Sequence, residues 1–205
     1  ITTVERIDYS NDTADVLERG SLTLGSRCNS AVGNPHYGYW GASKKSGVVS
    51  SIVDRVDYSS DTATAVAKGP LAAAKRYIAA TGSHDVGYWA GGSPGPISDV
   101  QRLTYASDTT AGVNRAYLNS ASTNNQGFSP LANGLPRLSV GSNIGVNRVP
   151  VGTDFGYFVG GNDPGDRSIV QRVDYANDTA TAAEKGPLQN GGASTAAAGN
   201  TSYGY

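Results

Sequence analysis

Methionine is absent from this 205-residue chain, and cysteine occurs once, at Cys28. A single thiol excludes an internal disulfide framework and any zinc centre built from several cysteines. Charge is scarce as well: 16 Lys and Arg against 17 Asp and Glu leave a formal net charge of −1. That balance argues against an electrostatic grip on a nucleic-acid backbone or an anionic bilayer. No apolar run approaches the ~18 residues of a membrane-spanning helix, so no membrane insertion is expected. Leu, Ile, Val and Phe together supply 38 residues, fewer than one in five. With a large net charge such a core would signal disorder. Near-neutrality, together with 12 Tyr and 2 Trp, leaves a packed all-β domain open. Glycine, with 27 residues, stands at nearly twice its ordinary share.

What the chain does have is repetition. One string occurs four times: VERIDYSNDTA from Val4, VDRVDYSSDTA from Val53, VQRLTYASDTT from Val100 and VQRVDYANDTA from Val170. Its tyrosines, Tyr9, Tyr58, Tyr105 and Tyr175, are spaced by 49, 47 and 70 residues. A second string keeps a fixed phase to the first: YGYWGAS from Tyr37, VGYWAGGS from Val86, FGYFVGGN from Phe155 and YGY from Tyr203. Units of about 48 residues with period-2 alternation between Gly, Ser, Asn, Asp and Pro punctuation match a four-stranded propeller blade, not a helical repeat. In the second copy the strands are expected at 75–81, 86–91, 100–105 and 110–115, with turns at 82–85, 93–97 and 106–108.

Each station of the unit has a physical task. Tyr88 and Trp89 point to opposite faces of the second strand, which must then be buried on both sides. In the third strand Arg55 and Asp57 share a face and suggest a partly buried pair between blades, which Thr104 interrupts in the third copy. Asp12, Asp61, Asp108 and Asp178 are expected to accept backbone N–H bonds across the turn into the fourth strand. Because every copy carries one, they are read as turn residues and not as a metal or catalytic array.

The rest of the chemical inventory is short. His36 and His84 hold equivalent positions in the turn before the second strand, and are expected to be exposed turn residues without a ligand cluster. Cys28 opens a first strand as a small buried residue. No glycine-framed serine elbow and no phosphate-cradling loop is present. The reading is therefore no catalytic, metal or cofactor-binding residue and no cofactor.

The apolar–aromatic strand ending in a double glycine, followed about ten residues on by an Arg-x-x-Tyr strand, resembles the kelch-type β-propeller repeat. The Trp that usually follows the kelch tyrosine strand is absent, and the first unit has Gly41–Ala42 in place of the glycine pair. More narrowly, DYSNDTA, with GPL at 69–71 and 186–188 and GYWAGG after it, resembles repeats in tail, tail-fibre and other virion proteins of marine cyanobacterial phages. That resemblance implies a structural or adhesive role in an extracellular particle. The partners it implies are other virion proteins and further copies in an assembly.

The expected fold is thus an all-β single domain over 1–205, a propeller of four kelch-like four-stranded repeats. Either residues 3–19 pair with 192–205 to close the ring, or the chain is a segment of a longer protein and of a larger propeller. An insertion of about 22 residues falls mostly at 118–126 and 145–152, where long loops would carry function. The function expected is non-enzymatic: a phage tail or tail-fibre component for assembly or host attachment. The alternative is a lectin-like module binding surface glycans through Tyr37, Tyr39, His84 and the 118–126 loop.

Overall fold

The computed structural model describes residues 2–11, 13–25, 27–129, 155–162, 164–194, 196–199 and 203–205. It is all-β. β1 (Glu5–Arg6) and β2 (Leu17–Glu18) form a two-stranded hairpin, and three four-stranded antiparallel sheets follow in chain order. The first holds β3 (Ser30–Gly33), β4 (Tyr37–Lys45), β5 (Val48–Asp57) and β6 (Val66–Lys68). The second holds β7 (Ala79–Gly82), β8 (Val86–Ala90), β9 (Ile97–Thr104) and β10 (Val113–Ser122). The third holds β11 (Gln126–Phe128), β12 (Phe155–Val159), β13 (Val170–Asp174) and β14 (Ala183–Lys185). Every sheet is a simple meander in which sequence neighbours pair.

The repeat registers the strands identically. Tyr39 pairs with Arg55, Tyr88 with Arg102 and Tyr157 with Arg172, each between the second and third strands of its sheet. Gly33 pairs with Gly38 and Gly82 with Gly87, and an isolated Gly199–Gly204 bridge repeats the pattern near the end of the sequence. The double glycines end β8 and β12 because both residues turn through positive φ: +71° and +102° at Gly91–Gly92, +63° and +103° at Gly160–Gly161. In the first sheet Ala42 takes that place at φ +57°. There β4 passes through a register shift between Gly41 and Ser43 and continues to Lys45.

Several expectations need correction. The first strand of the second unit is Ala79–Gly82 and not 75–81, because Lys75 leaves the sheet to bridge Ser50 of the first. The fourth runs Val113–Ser122, later and longer than 110–115. Residues 118–126 are consequently no loop: Leu118–Ser122 lie in β10, paired through a bulge back to Ile97, and Gln126 opens β11. The other insertion, 145–152, lies outside the described residues. Cys28 is half-buried, not buried; it precedes β3 at φ +64°, and its carbonyl accepts the Tyr77 N–H. Ring closure is not among these corrections: within its two segments Arg19 N–H donates to Val4 O, and Ala198 and Tyr205 exchange both backbone bonds, as the strands of each half-unit must.

The sheets stack face to face in chain order, and each of three apolar clusters is drawn from two consecutive sheets. Leu22, Val56 and Ala65, with Val4 and Trp40 against them, join the hairpin to the first sheet. Tyr39, Val53, Leu71, Trp89 and Leu103 join the first to the second. Tyr88, Val100, Leu118, Phe158 and Val173 join the second to the third. Tyr88 and Trp89 are both fully buried, on opposite faces of β8, as a strand between two neighbouring sheets requires.

Candidate functional site

The acids of the repeated turn form the chain's most concentrated polar chemistry. In the units of the first and third sheets the residue before the turn's tyrosine and the acid after it divide the labour, whereas Thr104 of the second makes no side-chain cap. Asp57 and Asp174 cap the short 3₁₀ turns Tyr58–Ser60 and Tyr175–Asn177 by accepting the N–H of Ser59 and Ala176, both at 2.9 Å. Asp61, Asp108 and Asp178 all point out of their own turns into the preceding sheet. Asp108 accepts from Arg55 (2.8 Å) and from the Tyr39 hydroxyl (3.0 Å), with Lys68 at 3.4 Å. Asp178 accepts from Arg102 (2.6 Å), Arg115 (2.9 Å) and the Tyr88 hydroxyl (2.8 Å). Asp61 accepts from Arg6 (2.7 Å), with Arg19 at 3.3 Å.

This clasp corrects two readings at once. Arg55 pairs with Asp108 of the next sheet and not with Asp57 beside it. The turn acids are inter-sheet acceptors, and the cap expected of them falls on Asp57 and Asp174 four residues earlier. Asp12, the first of the four, lies outside the described residues. Stacked rings reinforce each joint: Tyr39 lies on Tyr105 at 4.6 Å and Tyr88 on Tyr175 at 5.0 Å, both nearly parallel. Burial first, and then the neighbouring carboxylates, push the Tyr39 and Tyr88 hydroxyls well above their ordinary range, so both are held as donors. Burial pushes Tyr175 up to about 12.

Burial alone would raise the Asp178 carboxyl, but Tyr88, Arg115 and Arg102 outweigh it and hold the group below its ordinary 3.8. A folded value below the unfolded one stabilises fully above the unfolded pKa, and the gain is lost as pH falls through the folded value. The thermal midpoint should therefore decline once the pH drops below about 4, and Asp178→Asn should make that decline shallower.

A second feature lies at the centre of the stack. Ser30 and Ala31 of β3, Ala80 to Gly82 of β7, Gln126 to Phe128 of β11, and Ala197 to Gly199 border one cavity of about 340 Å³. The first strands of the three four-stranded sheets thus face the same space, joined there by the segment that carries the Gly199–Gly204 bridge. None of these residues is titratable. The hydroxyl of Thr81 donates to Phe128 O (2.8 Å) and that of Ser129 to Phe155 O (3.1 Å), so both serve the fold.

The other sequence candidates stay apart. His36 is exposed and half of the His84 ring is covered, its Nδ1 lying 3.0 Å from Asp85. No group of three His, Cys, Asp or Glu side chains able to hold a metal occurs among the described residues. Asp85→Ala should change stability by no more than about 0.5 kcal/mol, since its side chain is mostly exposed. Tyr39, proposed for a glycan surface, is fully buried in the Asp108 clasp, and Tyr37 lies under the Arg55 guanidinium at 4.2 Å. Leu118–Ser122 lie in β10 and Gln126 in β11, so the 118–126 stretch is not the long loop of that reading. Sequence reasoning passed over the fourth-strand cations Arg19, Lys68 and Arg115, although their constant offset from the turn acids was visible. It also passed over the Lys75–Asp99 pair, which is buried at the first-to-second joint and has no counterpart in the repeat.

No protein-family model matches the chain, and no curated protein sequence does.

Proposed function

We propose that this chain is a non-enzymatic structural module of a virion, in a phage tail or tail fibre, working through assembly and host attachment. On this reading it is a four-unit kelch-like β-propeller whose units surround the central cavity. The observation that carries it is the clasp. The acids repeated through the chain are spent on holding one sheet to the next, and their basic partners with them. Such a molecule offers rigid faces to neighbours, and the charges of its repeated turns are engaged in support of the scaffold. The wording of the repeats points to the particle. Its partners are other virion proteins and further copies of the chain.

An antibody raised against the recombinant chain tests the reading on purified phage particles by immuno-electron microscopy. Label at one defined place on the tail, in fixed ratio to the major tail protein, is the expected result. Particles that carry none of the chain would overturn it.

A further inference from the structure

Charge is spread unevenly along the chain. Residues 20–53 and 62–84 hold no Asp or Glu, although the whole chain carries a net charge of −1. Of the cations in these stretches, Lys68 and Lys75 are engaged by Asp108 and Asp99. The other four, Arg27, Lys44, Lys45 and Arg76, form no ion pair among the described residues.

Backbone bonds gather these four beside the β4–β5 hairpin. Lys44 N–H donates to Arg27 O (2.9 Å), Ser43 N–H to Lys75 O (3.2 Å) and Tyr77 N–H to Cys28 O (3.1 Å). Arg27 and Lys44 are partners in an isolated antiparallel bridge, so their side chains leave on the same side. Lys45, paired with Val48 at the hairpin tip, brings its ammonium within 3.8 Å of the place a Cβ on Gly25 would take. Arg76 lays its guanidinium over the Tyr77 ring at 5.3 Å, and Tyr77 is exposed.

The repeat does not account for this patch. The stations of Arg27 and Lys44 hold Arg76 and Ser93 in the second sheet, and Thr123 and Asn162 in the third. Nor does packing account for it. Like charges stand directly opposite each other at Arg27 and Lys44, and Arg76 Nε is buried with no acceptor among the described residues. Both arrangements cost stability.

We propose that this face of the first two sheets binds an acidic polysaccharide. Sugar rings stack on Tyr77, and their carboxylate or sulfate groups accept from Arg76, Arg27, Lys44 and Lys45. The open aromatic ring beside the guanidinium favours a charged sugar over an acidic peptide, whose Asp and Glu side chains offer no ring to stack. A polynucleotide is disfavoured because a long phosphate backbone meets the negative charge of the whole chain and not the patch alone. The inference rests on the attachment half of the proposed function and gives it a ligand class. It is read on the isolated chain, so absence from particles and absence of binding are separate failures.

The test measures binding of the chain to polygalacturonate and dextran sulfate, beside neutral dextran, polyglutamate and poly(dT), at two salt concentrations. Salt-sensitive binding to an acidic polysaccharide, and none to dextran, is expected; the one preferred tells carboxylate from sulfate recognition. No binding to either, or equal binding to polyglutamate or poly(dT), would overturn the proposal. Arg27→Gln, Lys44→Gln and Lys45→Gln combined should weaken binding at least about tenfold without lowering the thermal midpoint. Lys185→Gln, on the third sheet, should leave binding unchanged, and an equal loss there would overturn the patch. Tyr77→Asn reads the stacking, since Asn124 holds the same place in the third sheet at φ +54°. Weaker polysaccharide binding is expected of it, and unchanged binding would overturn the role of the ring.

Discussion

A Trp89→Ala chain should lose about 3–5 kcal/mol of stability, the range for truncating a large buried aromatic side chain. Trp89 is fully buried in the cluster between the first and second sheets, and its indole N–H donates to Ser30 O at 3.2 Å. The ring also lies against Gly41 and Gly87, where a methyl group would come within 3 Å of it. Removing it opens a cavity bounded by sheet backbone, which cannot collapse inward without breaking strand pairing. Trp89→Phe should recover most of the loss, because Phe158 fills the equivalent place in the third sheet. Chemical denaturation with an unchanged slope is the measurement. A loss below about 1 kcal/mol would mean that the first and second sheets do not pack as described.

Asp178→Ala is the second large effect, about 2–4 kcal/mol. The carboxylate is buried, and its removal strands Arg102, Arg115 and the Tyr88 hydroxyl at one point. The two arginine side chains are 27% and 32% exposed, so water relieves part of the penalty and keeps the loss below that of a fully buried pair. Asp178→Asn, which keeps an acceptor but loses the charge, should fall between. The series Asp178, Asp108, Asp61 should descend in cost on replacement by alanine. Asp61 has no tyrosine donor, and the Arg6 on it is half-exposed. Denaturant midpoints for the three variants give the order directly.

The repeat made the sheet count per unit, the strand order and the two-sided burial of Tyr88 and Trp89 legible, because period-2 alternation and turn residues recur at the same phase. The direction of the charged side chains was not legible in the same way. Asp57 and Asp61 are both competent turn residues, and nothing local says which one caps the turn and which reaches out. That choice is made by the neighbouring sheet, which brings Arg55 and Tyr39 to Asp108. The 118–126 stretch misled for a related reason. Asn is depleted in strands and the stretch lacks a period-2 apolar pattern, yet β10 extends through a bulge as far as Ser122. Cys28 shows the limit of composition: its positive φ is set by the link into β3, where its carbonyl is held by Tyr77 of the next unit.

The central claim is that the repeated charges work between sheets, joint by joint. A double-mutant cycle measures it most directly: Arg102→Ala and Asp178→Ala singly and together, beside Arg102→Ala with Asp108→Ala. The account predicts a coupling of about 1–2 kcal/mol within the Asp178 joint and additivity to within about 0.5 kcal/mol between Arg102 and Asp108. No coupling between Arg102 and Asp178 would contradict it, and the clasp would then be a surface contact without structural consequence.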